Sequence, residues 1–352
     1  MTRRPSLSAL IIAGGRGTRL WPASRERTPK PLFSADGKRS LLEATIARLS
    51  PLVAPDRIFV LAAAAHAAAF RRALRGVIPA RNLIIEPAAR GTAVAIAYGA
   101  AVIERRLKAG VVAVMPADHI IEPAAGFRAT LAAAAGLAAA RRAIVVIGIP
   151  PTRPETGFGY QKIGAAIGAG FKVDRFIEKP ALAGARRMAR SGKYLWNAGM
   201  FVLDSRTLAA ELAEHSPALA AAARALAAAP RARFPRAYKR LKFDSFDREV
   251  VERSRNVITV PARFRWHDVG SWEGLRQAVA NDGASVIRGR VLALDSERIV
   301  AHSDSRLMVV FGISDLIAID TGDAILIAHR NRSDEIRQIP ETLATRRLHK
   351  YL

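Results

Sequence analysis

The sequence predicts an α/β fold in which a mostly parallel sheet is followed by a small β module. Short apolar runs alternate with alanine-rich stretches of helical length through the first half of the chain, which is typical of βαβ units. Beyond residue 272, short apolar runs recur between Gly and Asp turns, a pattern typical of all-β structure. The 352 residues suffice for one large or two modest domains. We expect a catalytic domain at 1–276 and a β-rich module at 277–352.

The predicted elements follow one another in chain order. Strands are predicted at 7–13, 58–62, 82–85, 111–115 and 143–149, and helices at 41–49, 64–75, 92–108 and 126–141. Residues 150–180 are rich in glycine turns and predict an insertion over the substrate site, whereas 207–230 predict a helical scaffold broken at Pro217. In the module, strands are predicted at 286–290, 291–294, 299–302, 307–311, 316–320 and 324–328. We expect the module, from 277 to about 339, to pack on the catalytic domain.

The composition limits the classes of partner. A formal charge of +25 is compatible with nucleic acid or a membrane surface, but the arginines are scattered and form no basic block. We therefore expect small anionic substrates and neither nucleic acid nor membrane as a partner. The absence of cysteine excludes disulfides and thiolate metal sites. No secretion signal and no apolar window of about 18 residues is present, which predicts a mature cytoplasmic chain.

A glycine-rich loop follows the first predicted strand and is the candidate phosphate site. It reads GGRGTR at 14–19, and glycines let a backbone approach an anion closely. Arg16 and Arg19 add permanent charge, and Lys30 adds a point charge between two prolines. The loop is neither a Walker loop nor a GxGxxG fingerprint, because Arg19 stands at the third glycine position.

The longer pattern resembles a known family. The glycine loop continues into Arg19-Leu20-Trp21-Pro22 and Pro29-Lys30-Pro31-Leu32, which resembles the signature of the sugar-phosphate nucleotidylyltransferases. The Leu-Trp-Pro variant is similar to the mannose-1-phosphate guanylyltransferase branch. The resemblance implies a Rossmann-like, mixed and mostly parallel sheet of the nucleotide-diphospho-sugar transferase type, without a fused isomerase domain. It also implies that GTP and α-D-mannose 1-phosphate give GDP-mannose and pyrophosphate with Mg²⁺ as cofactor.

Two carboxylates are the candidate metal ligands. Asp118 follows a predicted strand within Pro116-Ala117-Asp118-His119, where taken alone it is better explained as a helix N-cap or a turn residue. The resemblance reverses this interpretation and implies that Asp118 is a Mg²⁺ ligand. Asp268, within WHDVGSW at 266–272, matches the second carboxylate segment of the family. Mg²⁺ suits such a site because it takes one or two carboxylates and leaves its other positions to water and phosphate oxygens. His119 is interpreted as a structural residue or as one that lies behind the metal ligands without contacting the metal.

The remaining site residues come from motifs that match the family. The nucleotide would contact the loop residues Ala13, Gly14, Gly15, Gly17, Thr18 and Arg19 and the base segment Glu86, Pro87, Arg90, Gly91 and Thr92. The family usually has Asn where this chain has Gly91, so a side-chain contact to the base is lost there. The sugar phosphate would contact Gly157, Glu178, Lys179 and Asn197. Asp247 is as well explained as a helix N-cap and is not assigned to the site.

The resemblance implies catalytic roles for three basic residues and leaves alternative functions open. Arg16 and Lys30 would neutralise the departing β- and γ-phosphates, and Lys179 would orient the attacking phosphate. One rival is the same chemistry with glucose 1-phosphate and another nucleoside triphosphate. A second is a non-catalytic regulator that binds GDP-mannose, and a third is a basic nucleic-acid binder. The β module is a candidate surface for a homodimer.

Overall fold

The computed structural model describes residues 6–14, 17–25, 28–34, 37–108, 110–229, 233–280 and 284–352. The strands of this part are β1 (Leu7–Ile12), β2 (Ile58–Ala63), β3 (Leu83–Glu86), β4 (Val111–Pro116), β5 (His119–Glu122), β6 (Ile144–Ile149), β7 (Tyr160–Ile167), β8 (Gly170–Ile177), β9 (Tyr194–Asp204), β10 (Val257–Pro261), β11 (Arg265–Asp268), β12 (Val286–Leu294), β13 (Val300–Phe311), β14 (Leu316–Asp320) and β15 (Ile325–His329). The helices are α1 (Leu41–Leu49), α2 (Ala67–Ala73), α3 (Thr92–Leu107), α4 (Ala124–Arg141), α5 (Leu182–Arg190), α6 (Ser205–His215), α7 (Pro217–Ala228), α8 (Phe234–Lys239), α9 (Trp272–Val279) and α10 (Gln338–Thr345).

The large sheet confirms the predicted α/β class. Its strand order is β3-β2-β1-β4-β9-β6-β10-β8-β7 within the described residues. Strand β1 is parallel to β2 and to β4, and β2 is parallel to β3. Strand β6 is parallel to β10. Strand β9 is antiparallel to both β4 and β6. The carboxyl ends of β1, β3 and β4 therefore meet at one edge, where ligands of such sheets bind.

Helices cover both faces of this sheet because its strands are apolar on both sides. Along β1, Ala9 and Ile11 pack with residues of α1 and α4, whereas Leu10 packs with residues of α3, α6 and α7. Most predicted element bounds agree with the structure to within two residues. The helix predicted at 64–75 is shorter, because a 3₁₀ turn at Ala64–His66 precedes α2.

The C-terminal module differs from the prediction in the number of its strands. Where six short strands were expected, the described residues form the sheet β12-β13-β14-β15. Strand β12 continues through Gly289, where the register to β13 shifts, so the strands predicted at 286–290 and 291–294 are one bulged strand. The strands predicted at 299–302 and 307–311 are likewise one strand, β13, because both of its ends pair with β12. Gly289 has φ +69° and its Cα lies against the backbone of Ser303. After β15 the chain is helical, at Arg330–Arg337 and α10, because the apolar residues no longer alternate.

The module packs on the segment that follows the glycine loop. Val300, Ile317 and Ile319 share a buried cluster with Leu20 and Trp21. The Trp21 Nε1 donates a hydrogen bond to the carbonyl of Tyr351 at 2.9 Å, and Arg25 forms a bidentate ion pair with Asp323. In the described part of the chain, no helix has both the length and the hydropathy needed to cross a membrane.

Candidate active site

Lys30 is held in place by the loop in front of it. It begins a 3₁₀ turn at Lys30–Leu32, and its side chain is only 9% exposed. Gly17 has φ +61°, and a Cβ there would lie 2.6 Å from the Cβ of Lys30. Only glycine tolerates both the left-handed backbone and this approach. The loop glycine therefore allows the lysine to sit directly behind the loop.

The two candidate carboxylates converge on Lys30. Strands β5 and β11 pair antiparallel, with Asp268 opposite His119, and this places Asp268 beside Asp118. The Lys30 Nζ lies 2.5 Å from the Asp118 Oδ2 and 3.7 Å from the Asp268 Oδ1. Three residues from distant segments thus meet at the carboxyl edge of β1 and β4.

The electrostatics of this cluster favour charged carboxylates. Burial alone would raise the pKa of Asp118, but the Lys30 ammonium holds the pKa of that carboxyl below its usual value. Burial lowers the pKa of His119, and its Nδ1 accepts a hydrogen bond from the Trp266 Nε1 at 3.1 Å. His119 is therefore a neutral, buried side chain with a structural partner.

The donor set of this cluster fits a hard divalent cation. Asp118 and Asp268 each direct a carboxylate oxygen toward the Lys30 ammonium, and oxygen is the ligand that Mg²⁺ prefers. Among the residues that the structure describes, no group of three or more His, Asp or Glu side chains is placed to hold a metal. Two carboxylates are enough for Mg²⁺ when nucleotide phosphates supply further oxygens.

Arg19 lies beside Gly270, which follows Asp268 by two residues. A Cβ on Gly270 would be 3.0 Å from the guanidinium of Arg19, and the same guanidinium is 3.6 Å from Asp334 of the C-terminal module. Gly15 and Arg16, predicted as nucleotide and catalytic residues, lie outside the described residues. Thr18 belongs to the 3₁₀ turn Thr18–Leu20. Ala13 is buried, and its N–H bonds to the carbonyl of Leu61.

The base segment lies at the carboxyl end of β3, beside the loop. Glu86 is buried, and its Oε1 would be 2.6 Å from a Cβ on Gly14, so a side chain at position 14 would collide with it. Pro87 follows Glu86 at the end of β3. The Arg90 Nε is buried without an acceptor among the described residues, which leaves a donor for a ligand.

Gly91 has a structural reason to differ from asparagine. Its φ is +89°, and a Cβ would lie 2.8 Å from the carbonyl oxygens of Phe243 and Asp244. The next residue, Thr92, accepts a hydrogen bond at its Oγ1 from the N–H of Phe246 at 3.0 Å. The segment 243–246 therefore lies over the base segment and takes the space of a side chain at position 91.

The sugar motifs form a second cluster further along the same edge. Asn197 lies opposite Gly148 of β6, and its N–H bonds to the carbonyl of Gly159 at 2.8 Å. The Glu178 carboxylate packs on Gly159, and the Lys179 Nζ lies 3.1 Å from Glu178. Lys179 is half exposed and has φ +47°. Gly157 is exposed, and its N–H bonds to the Glu155 carboxylate at 2.9 Å.

Asp247 is the residue that the sequence interpretation left out. The Asn197 Nδ2 donates a hydrogen bond to its Oδ1 at 2.6 Å. Burial, and then the nearby Glu178 carboxylate, raise its pKa to about 7, a shift typical of functional sites. It begins a π-helix at Asp247–Val251 and makes no side-chain cap there, so the N-cap alternative does not hold. A π-turn is itself frequent at functional sites, but no sequence pattern announces one.

Asp247→Asn is expected to stabilise the protein at alkaline pH. Because the folded-state pKa lies above the ordinary value of 3.8, this group's contribution to stability is fully present below about pH 4 and is lost as pH rises through 7. Asparagine keeps the acceptor for Asn197 and removes the ionisation. We expect the variant to exceed wild type in free energy of unfolding by about 2–4 kcal/mol at pH 8 and by clearly less at pH 5.

Urea unfolding at both pH values measures this difference. Asp244→Asn is the matched control, because Asp244 is exposed and its backbone contact to Ser245 and its partner Arg248 lower its pKa. That variant should gain nothing at pH 8. Equal stability differences for Asp247→Asn at pH 5 and pH 8 would show that Asp247 titrates normally.

Comparison with known proteins finds close relatives of the whole chain. The family described as Nucleotidyl transferase matches residues 8–285, and the MannoseP isomerase/GMP-like beta-helix domain matches 289–343. The xanthan biosynthesis protein XanB of Xanthomonas campestris pv. campestris (strain B100) is 39% identical over 339 residues, which cover 94% of this chain and 72% of that protein. A mannose-1-phosphate guanylyltransferase of Escherichia coli (strain K12) is 34% identical over 361 residues, which cover 98% and 75%.

A solved structure shares the arrangement described above. It comes from Thermus thermophilus and is described as a mannose-1-phosphate geranyltransferase. It is 32% identical, superposes with a TM-score of 0.86, and the match covers 96% of this chain and 99% of that one. The large sheet and the C-terminal module therefore occur together in a known structure.

Proposed function

This chain belongs to the nucleotidyl transferase family, and on that premise we propose that it is a mannose-1-phosphate guanylyltransferase. It transfers GMP from GTP to the phosphate of α-D-mannose 1-phosphate and releases pyrophosphate. Relatives of that name match nearly its full length at 32–34% identity, which supports the choice of substrates. The product, GDP-mannose, is a precursor of polysaccharides.

The observation that carries this proposal is the meeting of Lys30, Asp118 and Asp268 behind the glycine loop. Nucleotidyl transfer to a phosphate acceptor needs no covalent nucleophile. It needs charge stabilisation and positioning of the reacting phosphates. At this sheet edge, the ammonium supplies positive charge for the phosphates of a nucleoside triphosphate. The two carboxylates supply negative charge for the cation that accompanies those phosphates.

In the proposed reaction, a phosphate oxygen of the sugar phosphate attacks the α-phosphorus of GTP. The new bond joins that oxygen to the α-phosphorus, and the bond from the α-phosphorus to the bridging oxygen breaks, so pyrophosphate leaves with that oxygen. Lys30 and Arg16 stabilise the charge that develops on the leaving pyrophosphate. Asp118 and Asp268 would hold Mg²⁺, which supplies Lewis-acid charge stabilisation when bound.

The second cluster is proposed to position the sugar phosphate. Glu178 and Asn197 offer acceptors and a donor for the sugar hydroxyls, and Gly157 permits a close backbone approach. Lys179, half exposed, can turn its ammonium toward the sugar's phosphate and orient the attack. The loop residues Ala13, Gly14, Gly15, Gly17, Thr18 and Arg19 and the base segment 86–92 are proposed to hold the nucleotide.

Pyrophosphate release is the test of this function. The wild-type protein with Mg²⁺ is assayed with each of the four nucleoside triphosphates against mannose 1-phosphate and glucose 1-phosphate. We expect turnover with GTP and mannose 1-phosphate. Preference for another pair would replace the substrates and keep the chemistry, and binding of GDP-mannose without turnover in any mixture would instead support a regulatory protein.

We further propose that the chain forms a homodimer through the module at 277–352. One sheet of this module exposes large apolar side chains, which are Ile287, Leu292, Leu294, Leu307, Val309, Phe311, Ile325 and Ile327. Leu292 and Leu294 pair with Val309 and Phe311 across β12 and β13, so their side chains share one face. Patches of this kind mark interaction sites, and a two-fold dimer pairs such a face with itself.

Phe311→Lys combined with Ile327→Lys is expected to convert the dimer to a monomer. These side chains are 66% and 71% exposed, so folding of the single chain should not depend on them. Light scattering coupled to gel filtration measures the mass, and the pyrophosphate assay checks that the variant is folded and active. A monomeric wild type at micromolar concentration would contradict the proposal.

A further inference from the structure

Glu86 has one fixed carboxylate oxygen and one that is open to a ligand. Its side chain is buried, at 3% exposure, and the Tyr238 Oη donates a hydrogen bond to the Oε2 at 2.8 Å. In the described part of the chain, no other group donates to this carboxylate. The Oε1 lies against the backbone of Gly14 in the nucleotide loop. A carboxylate oxygen of a buried side chain gains a hydrogen bond when a ligand brings a donor to it.

Tyr238 is itself held rigidly. It is completely buried in α8 and packs edge-on against Tyr98, with ring centroids 5.8 Å apart, and at 5.5 Å against Phe234. Burial and the neighbouring Glu86 carboxylate raise the pKa of its phenol above the ordinary value of 10, so the hydroxyl remains a donor. The hydrogen bond from Tyr238 in turn opposes the rise that burial causes in the pKa of Glu86.

The segment that carries Tyr238 is attached to the base segment at further points. The carbonyl oxygens of Phe243 and Asp244 lie against Gly91, and the N–H of Phe246 bonds to Thr92. Residues 238–246 therefore form one wall over the predicted base segment. A substitution of Tyr238 would therefore alter the space that the base would occupy.

We propose that Tyr238 is a positioning residue for base selection, and that its hydroxyl orients Glu86 to accept hydrogen bonds from the N1–H and the 2-amino group of guanine. The inference rests on the proposed function. An ionised carboxylate has acceptors only. Guanine presents two adjacent N–H donors on its Watson–Crick edge, and a fixed carboxylate can accept hydrogen bonds from both. Adenine presents an unprotonated N1 there, which cannot donate to the carboxylate. A fixed carboxylate therefore favours guanine over adenine. Sites that pair buried polar groups discriminate strongly against ligands that lack the partner.

Tyr238→Phe tests the proposal because it removes the hydroxyl and keeps the packed ring. The readout is the ratio of kcat/KM for GTP to that for ITP, which lacks the 2-amino group. We expect kcat/KM for GTP to fall about tenfold, chiefly through KM, and the GTP-to-ITP ratio to fall with it. The KM for mannose 1-phosphate should stay within about twofold. Tyr98→Phe, in the same aromatic cluster, is the matched control and should keep the wild-type ratio.

Two further variants separate positioning from loss of packing. Glu86→Gln should also lower the GTP-to-ITP ratio, and adding Tyr238→Phe to it should cause little further loss, because the tyrosine acts through the carboxylate. An unchanged GTP-to-ITP ratio in Tyr238→Phe would overturn the inference. If Tyr238→Phe does not fold, an unchanged ratio in Glu86→Gln would overturn it. A wild-type enzyme without GTP activity would instead reject the proposed function itself.

Discussion

Asp118→Asn is expected to lower kcat about a thousandfold. Asp118 is the carboxylate closest to Lys30, at 2.5 Å, and with Asp268 it would hold the divalent cation. Losing a ligand of that cation removes charge stabilisation worth several kcal/mol, and about 4 kcal/mol corresponds to a thousandfold in rate. The backbone should be preserved, because asparagine has the same shape and can still accept a hydrogen bond from Lys30.

The rate is measured as pyrophosphate release at saturating GTP and mannose 1-phosphate. Asp174→Asn is the matched control: this carboxylate is 48% exposed and its lysine partner, Lys162, lies 3.7 Å away. Its kcat should stay within about twofold of wild type, as expected for an exposed ion pair. If Asp118→Asn retains more than a tenth of wild-type kcat at all Mg²⁺ concentrations, the carboxylate is not a metal ligand.

Lys30→Met is expected to lower kcat about a hundred- to thousandfold, comparable to the loss of one donor at a developing oxyanion. Methionine fills the buried volume of the lysine stem, so the main change is loss of the ammonium. That ammonium is also the positive charge shared by Asp118 and Asp268. Its removal leaves the two carboxylates without this counter-charge, and we expect a lower Tm in the absence of divalent cations.

Mg²⁺ without nucleotide should then raise the Tm of Lys30→Met more than that of wild type. In the wild type the cation competes with the ammonium for the same carboxylates, whereas in the variant it does not, and binding to the folded state raises stability by mass action. Lys162→Met, which removes an exposed lysine, should respond like wild type. Near-normal turnover of Lys30→Met would reject the role of Lys30, and equal Tm shifts would reject the shared cation position.

Much of the fold could be predicted because its signals are local. The apolar run before GGRGTR is β1, and the predicted helix at 41–49 begins and ends where α1 does. The capping box between Ser40 and Glu43 shows why that boundary is sharp. The merged strands of the module could not be predicted, since Gly289 reads as a turn in sequence and only its pairing with β13 makes it a bulge.

The candidate site was predictable in its parts, and its assembly was not. Asp118 was expected at the carboxyl end of a strand, but its proximity to Asp268 depends on pairing between β5 and β11, which are 143 residues apart at Glu122 and Arg265. In the sequence alone Asp247 is explained equally well as a helix N-cap, and only its contact with Asn197 distinguishes the two roles. Tyr238 carries no motif, and its contact with Glu86 spans 152 positions.

The sequence by itself determined the class of the fold, the glycine-rich loop and the residue types that a nucleotidyl transfer needs, because hydrophobic periodicity and short motifs act within a few residues along the chain. Only the tertiary structure decided which carboxylates meet at Lys30, which side chain hydrogen-bonds to Glu86, and why position 91 is glycine. Those contacts join segments far apart in sequence, and they form only when burial of the apolar strands brings the loops to one edge of the sheet.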